Sequence, residues 1–236
     1  MRANRKAFKL RKKERDLERI KTLLAEGVYT NKRFMKQSVA NKVATAFENG
    51  IKICIDCAFE YCMTVKECNK LSQQVCRAYG ANRRHACPVS LHLVNFSPSG
   101  VLANICRAKC DGFDKYQLGR HTEPAGKVFG DYKEIIYLSP DAQDPLLSLS
   151  EDTVYVIGGM VDEHLMKGRS LKEAEEQKCR AVRLPIREFT NFVGVKSPSP
   201  VLTINQVIEL ILKYLNNGRD WKEAILSTIP KRLIKS

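Results

Sequence analysis

The unbroken apolar run Val154-Tyr155-Val156-Ile157 stops at Gly158-Gly159, and Asp162 follows three residues later. Such a run suits a short strand covered on both faces, as in a parallel sheet with helices above and below. The glycines allow tight turning and close approach of a ligand to the backbone. Open α/β sheets bind ligands where a parallel strand ends in a loop of this kind, and here a carboxylate stands at its mouth. The competing reading is an ordinary strand, a turn and a solvated acid. The local pattern alone does not separate the two.

The rest of the chain supplies companions for that strand. IKICIDCAF after Gly50 reads as a buried strand ending at Asp56, and Thr64 to Tyr79 as an amphipathic helix. Val89 to Phe96 is a second strand, followed by a helical stretch from Val101 to Cys110. Residues 119–131 are rich in glycine and polar groups and read as a loop. KEIIYLS from Lys133 is a third strand, the VYVIGG run a fourth and AVRLPI from Ala181 a fifth. Ser170 opens a helix to Lys178 with Glu173 three residues on, and VKSPSP is a loop. Thr203 caps the apolar helix INQVIELILKYL, which Gly218 closes, and Trp221 to Ile229 form a last short helix. Strands alternating with helices predict a parallel, doubly wound α/β sheet. The boundary falls near Gly50, giving a basic helical arm over residues 1–48 and an α/β domain over 49–236.

The charge is lopsided. Forty Lys and Arg against 26 acids give +14, which points to a polyanionic partner, most simply nucleic acid. Leu10, Leu17, Ile20 and Leu24 fall near helical spacing within the basic N-terminal stretch, where Lys12, Lys13 and Arg15 cluster. This describes a helical arm lying along phosphates, adding affinity and salt dependence but little sequence choice. A solvated helix is the alternative. Glu14, Asp16 and Glu18 argue against a mitochondrial targeting segment, and no apolar run reaches the roughly 18–20 residues of a membrane span. The expectation is an intracellular protein, nuclear or cytoplasmic, with no membrane partner.

Nine cysteines is an odd number, scattered through apolar or helical stretches, and this favours reduced thiols. Cys54 and Cys57 have the spacing of a metal pair, but three residues apart on a strand they point to opposite faces. No metal site is expected. Neither G-x-G-x-x-G nor a Walker-type loop is present, which weakens dinucleotide and NTP readings. His85, His92, His121 and His164 show no local signature of a nucleophile's partner. Arg77, Arg83 and Arg84 cluster in RAYGANRRH with Tyr79 and Asn82. They offer charges to phosphates and an aromatic face to a base, or else a cationic end that suits a helix dipole.

Several segments, in order, carry a resemblance. RAYGANRR, the DGF at Asp111 to Phe113, YLSPDA from Tyr137, VYVIGGMVDEH, VRLPI from Val182 and LTINQVIELIL from Leu202 are similar to the tRNA methyltransferases that modify N1 of the purine at tRNA position nine. These belong to the SPOUT superfamily. The likeness runs from about Ile51 to about Pro230, and a basic N-terminal helix is also typical. It implies a SPOUT fold with a deep C-terminal trefoil knot, which no spacing or periodicity here indicates. It implies S-adenosylmethionine as cofactor, held by loops carrying Leu138 and Ser139, Gly158 and Gly159, and Leu184 and Ile186. Glu163, His164, Leu165, Met166 and Lys167, with the helix start at Thr203, Ile204 and Asn205, complete that implied site. Asp162 takes the place of the proposed general base, tRNA is the partner, and the family enzymes act as monomers.

The chemistry of the residues agrees with that likeness. Guanine N1 carries a proton and is a poor nucleophile until it is lost, which a nearby carboxylate can accomplish. Adenine N1 has no proton, so there Asp162 would position the base. Many relatives carry His, Lys or Arg directly after the Asp; this chain has Glu163, which resembles a subgroup associated with adenosine targets. Guanosine, adenosine or both therefore stand as substrates. A non-catalytic tRNA-binding scaffold is the alternative reading of another class.

Overall fold

The computed structural model describes residues 14–15, 18, 21–22, 32–161, 168–189 and 202–229, apart from the side chains of 32–34. The chain divides into two compact units, Met1–Asn41 and Lys42–Ser236. In the first, Glu14, Arg15, Glu18, Lys21 and Thr22 are helical and exposed. Lys12, Lys13 and the apolar stripe from Leu10 to Leu24 lie outside the described residues. Helix α1 (Lys32–Asn49) leads from this unit into the second.

The second unit is built on six parallel strands: β1 (Lys52–Asp56), β2 (Ser90–Val94), β3 (Gly119–Arg120), β4 (Glu134–Leu138), β5 (Thr153–Gly158) and β6 (Arg180–Val182). Their order across the sheet is β3-β2-β1-β5-β4-β6. The connections alternate with helices α2 (Val65–Arg84), α3 (Val101–Lys109), α4 (Ala125–Val128) and α5 (Arg169–Glu176). After β6 come α6 (Ile186–Phe189), α7 (Ile204–Asn216) and α8 (Trp221–Thr228).

Strand periodicity sorts the core cleanly. Ile53, Ile55, Leu91, Leu93, Ile136, Leu138, Tyr155 and Ile157 face one cluster, shared with apolar side chains of α2, α3, α7 and α8. Cys54, Val94, Tyr137, Val154 and Val156 face the other, with Ala125 of α4 and Ala174 of α5. Both faces are therefore covered, which is why β1, β2 and β5 read as continuous apolar runs. Cys54 and Cys57 fall into opposite clusters; they are separate buried thiols.

Local chemistry fixes the helix ends. Thr64 and Glu67 form a reciprocal capping box on α2, and Thr203 does the same with Gln206 on α7. The backbone N–H of Ile204 also donates to Gln74 Oε1 at 2.9 Å, so the start of α7 is pinned to α2. Beyond α7, Gly218 takes a left-handed φ of 64°.

Four sequence expectations change. The stretch 119–131 is more than a loop, because it holds β3 and α4; β3 has only two residues, too short for a periodic signal. Ser170 is not the cap of α5. The cap is Gly168, at φ 76°, and Ser170 lies inside the first turn. Helix α2 runs on to Arg84 rather than ending at Tyr79, so Arg83 and Arg84 lie in its last turn. Finally, Cys76 of α2 is paired with Cys110, just beyond α3, in a disulfide with a Cα–Cα distance of 6.2 Å. The expectation of nine reduced thiols fails for that pair, and the other seven cysteines are free.

Candidate active site

The strand order reverses direction between β1 and β5, and ligands of open α/β sheets lie at the carboxyl ends of strands at such a point. Asp56 ends β1 opposite Gly158, which ends β5. Leu138, at the end of β4, is in register with Ile157 on one side and Val182 on the other. The loops that begin at Leu138, Gly158 and Leu184 therefore leave the same edge of the sheet side by side.

Each loop is held by named contacts. Gly159 N–H donates to Asp56 O at 2.7 Å, and a Cβ on Gly159 would stand 2.4 Å from that same oxygen. Glycine is needed there because β1's own backbone presses against it. At Gly158 a Cβ would meet only Phe59 and Ser170, at ordinary contact distances of 3.4 and 3.6 Å. Ser139 is buried; its N–H donates to Val182 O, and its Oγ accepts from Ser170 Oγ at 3.0 Å and from Asp141 N at 3.3 Å. Asp141 in turn accepts from Gly168 N at 2.8 Å. The loop after β4 is thus fastened to the start of α5. On the third loop, Ile186 N donates to Leu184 O, and Arg183 makes a two-pronged ion pair with Glu188 at 2.8 and 2.6 Å. That pair raises the Arg183 pKa and lowers that of Glu188, in each case mainly through the hydrogen bond between them.

Beneath the loops sits a carboxylate that the sequence reading passed over. Asp56 is fully buried and accepts from Asn95 Nδ2 at 2.7 Å, Tyr137 OH at 2.7 Å and Ala58 N at 2.9 Å. Burial, then the adjacent Asp56 charge, pushes the Tyr137 phenol well above its ordinary range. It stays protonated and donates. The signal available in the sequence was an acid closing an apolar strand, which has no other way to be satisfied than by neighbouring donors.

Backbone peptide groups at Gly158 and Gly159, apolar Leu138, Leu184 and Ile186, and a hydroxyl at Ser139 offer what an adenosine-type ligand uses: apolar walls with a few fixed polar groups. The three apolar side chains are buried, and Thr203 and Asn205, exposed and half-buried, sit at the start of α7. Asp162, Glu163, His164, Leu165, Met166 and Lys167 lie outside the described residues.

The Arg cluster splits. Arg77, Arg83 and Arg84 are exposed on α2, and Arg15 is exposed in the first unit. Asn82 is 1% exposed, with its amide exchanging two hydrogen bonds with the backbone of Val89. Tyr79 is stacked on Tyr116 with ring centroids 4.0 Å apart, and its hydroxyl accepts from Gln117 N. The sequence reading takes both as RNA contacts; the structure buries both, Asn82 against Val89 and Tyr79 against Tyr116.

A parallel sheet covered on both faces, with three loops leaving one edge beside its switch point, defines an α/β protein of the kind that binds ligands at that edge. The comparisons with known proteins make this particular. The profile of the family described as tRNA (guanine(9)-N(1))-methyltransferase TRM10/TRM10A matches residues 1–234, and the chain belongs to that family. It is 34% identical over 223 residues to tRNA methyltransferase 10 homolog B of Rattus norvegicus, covering 91% of this chain and 69% of that protein. To the tRNA (guanine(9)-N1)-methyltransferase of Schizosaccharomyces pombe it is 35% identical over 196 residues, covering 80% of this chain and 62% of that one. Among solved structures, a full-length spTrm10–SAH complex superposes with a TM-score of 0.69 at 34% identity, over 78% of this chain and 95% of the other.

Proposed function

We propose that this chain transfers the methyl group of S-adenosylmethionine to N1 of the purine at position nine of tRNA. The observation that carries the reading is the convergence of the Leu138, Gly158 and Leu184 loops at the switch point, in a chain of this family. The cofactor supplies an electrophilic methyl group. In this reading Leu138, Leu184 and Ile186 enclose its adenine, and the backbone of Gly158 and Gly159 meets its polar edges. Thr203, Ile204 and Asn205 at the start of α7, together with residues 163–167, complete the cofactor site.

Asp162 is the group to take the N1 proton of guanine as the new bond forms. With adenine, which has no such proton, it orients the base instead. The Arg15 region and Arg77, Arg83 and Arg84 hold the RNA, and the purine leaves its stack to reach the cofactor site, at a cost of roughly a few kcal/mol. A basic N-terminal helix, a trefoil-knotted C-terminal part and a monomeric enzyme belong to the same reading, as the resemblance implies.

The test is methyl transfer to two tRNA transcripts that differ only in guanosine or adenosine at position nine, with nucleoside mapping. N1-methylated purine at that position is expected, and the preferred transcript sets the substrate. Asp162→Asn should depress transfer to guanosine far more than it weakens cofactor binding. Unchanged turnover in that variant removes Asp162 as the base; no transfer by the native chain, with tRNA still bound, favours the scaffold reading.

A further inference from the structure

At the carboxyl edge of the sheet, in the turn that follows β1, Tyr61 stands 83% exposed. It is the most exposed large apolar or aromatic side chain among the described residues, and neighbouring helix starts add exposed Val65 and Val101. Its position is fixed by its neighbours. Phe59, two residues earlier in the 3-10 turn Cys57–Cys62, lies 3.4 Å from the point a Cβ on Gly158 would occupy. Two residues later, Met63 Sδ accepts from the Val161 N–H at 3.5 Å. Tyr61 therefore sits on a turn whose two flanks touch the strand end and the loop that follows it.

A cation accompanies it. The Arg169 guanidinium lies 5.9 Å from the centre of the Phe59 ring, and its Nη2 donates to the Tyr61 hydroxyl at 3.4 Å. Arg169 is the first residue of α5, whose second residue, Ser170, is fastened to the Leu138 loop through Ser139. An exposed aromatic face braced by a guanidinium, at the edge that carries the loops, matches the face of a base, since every base has a π-face for stacking.

We propose that Tyr61 is a substrate-binding residue: its ring stacks on the extruded target purine, while Arg169, donating to the Tyr61 hydroxyl, braces the ring. This rests on the tRNA-methyltransferase reading above. Stacking holds a purine by its face and leaves the N1 edge free to turn toward the donor, so the platform serves guanine and adenine alike. Its contribution falls on capture and orientation of the nucleotide rather than on the cofactor.

The test compares the native chain with Tyr61→Ala and Tyr61→Phe, using full-length protein and tRNA transcript. Because Tyr61 is exposed, neither change removes a core side chain. Loss of one base–aromatic stack predicts a fall in kcat/KM for tRNA of about 5- to 100-fold in Tyr61→Ala. Tyr61→Phe should retain most of the native value, and affinity for S-adenosylmethionine by calorimetry should be the same in all three. With 2-aminopurine at position nine, the native and Tyr61→Phe complexes should be quenched and the Tyr61→Ala complex brighter. Native-like kcat/KM in Tyr61→Ala, or a Tyr61→Phe variant as poor as Tyr61→Ala, overturns the stacking proposal. Failure of the native chain to methylate position nine overturns the functional reading instead, so the two failures are distinguishable.

Discussion

The hydroxyl of Tyr137 on β4 donates to the carboxylate of Asp56 on β1 at 2.7 Å, reaching across β5, and both residues are fully buried. The contact ties together the two strands that flank the one carrying Gly158. With Asn95 on the same carboxylate, it also anchors the end of β2. Removing the hydroxyl leaves a buried carboxylate oxygen without its charge-assisted partner. Tyr137→Phe should therefore lower stability by about 1.5–3 kcal/mol, read as a shift in urea midpoint at constant slope. A midpoint equal to that of the native chain shows that the bond contributes nothing net.

A second polar chain links β1 and β2 to His121, the residue after β3. Ser90 donates to Phe47 O, so its oxygen accepts from Lys52 Nζ at 3.3 Å and from His92 Nε2 at 2.9 Å. That leaves His92 Nδ1 to accept from His121 Nε2 at 3.1 Å. Both rings are then neutral, each with its proton on Nε2. His92 is 5% exposed, and burial, His121 and Lys52 hold its pKa down at about 3; burial lowers His121 as well.

An unfolded histidine titrates near 6.5, so between about 3 and 6.5 the unfolded chain binds protons that the folded one refuses. Stability rises with pH through that window and is lost as pH falls. From pH 7 to pH 5 the His92 contribution to that loss is on the order of 2 kcal/mol. His92→Asn should flatten the dependence of Tm on pH between those values, with His121 keeping part of it. Parallel curves for native and variant chains would falsify the assignment.

The two glycines at the end of β5 separate packing from ligand binding. A Cβ at Gly159 runs into the Asp56 carbonyl at 2.4 Å, whereas at Gly158 it meets Phe59 and Ser170 at 3.4 and 3.6 Å. Overpacking against backbone typically costs about 1–3 kcal/mol. Gly159→Ala should show that loss in thermal unfolding even without cofactor, and any drop in S-adenosylmethionine affinity there is confounded by it. Gly158→Ala should unfold like the native chain, which makes it the cleaner probe of ligand contact. Equal destabilisation in both variants contradicts the distinction.

This difference also marks how far the sequence could be read. The Val154–Ile157 run and its glycines located β5 and the edge that carries the loops, because an apolar run covered on both faces leaves an unmistakable trace. Thr203 likewise marked the start of its helix, whereas the capping partners Glu67 and Gln206 emerge only in the structure. What stayed hidden depends on residues far apart in the chain. Asp56 and Tyr137 are separated by 81 positions, and Gln74 caps a helix 130 residues later. Tyr79 and Asn82 looked like recognition groups because they sit among arginines, yet their helix turns them inward against Tyr116 and Val89. Tyr61 drew no attention, since an aromatic in an apolar stretch reads as core until its exposure is known.

The surface arginines of α2 give the last prediction. Arg77, Arg83 and Arg84 are exposed, and Asn82, on the inner side of the same helix, holds the turn leading to β2. Replacing the three arginines with alanine removes charge without touching the core. Removing one arginine–phosphate interaction flattens the slope of log affinity against log salt by about 0.7–0.9. If all three meet tRNA phosphates, the triple variant should reduce that slope by about 2 and weaken binding at low salt more than at high salt. Asn82→Ala should behave differently, lowering stability through the two bonds to Val89 while the folded fraction keeps the native salt slope. An unchanged slope in the triple variant would take this face of α2 out of the RNA interface and leave the electrostatic grip to the basic N-terminal arm.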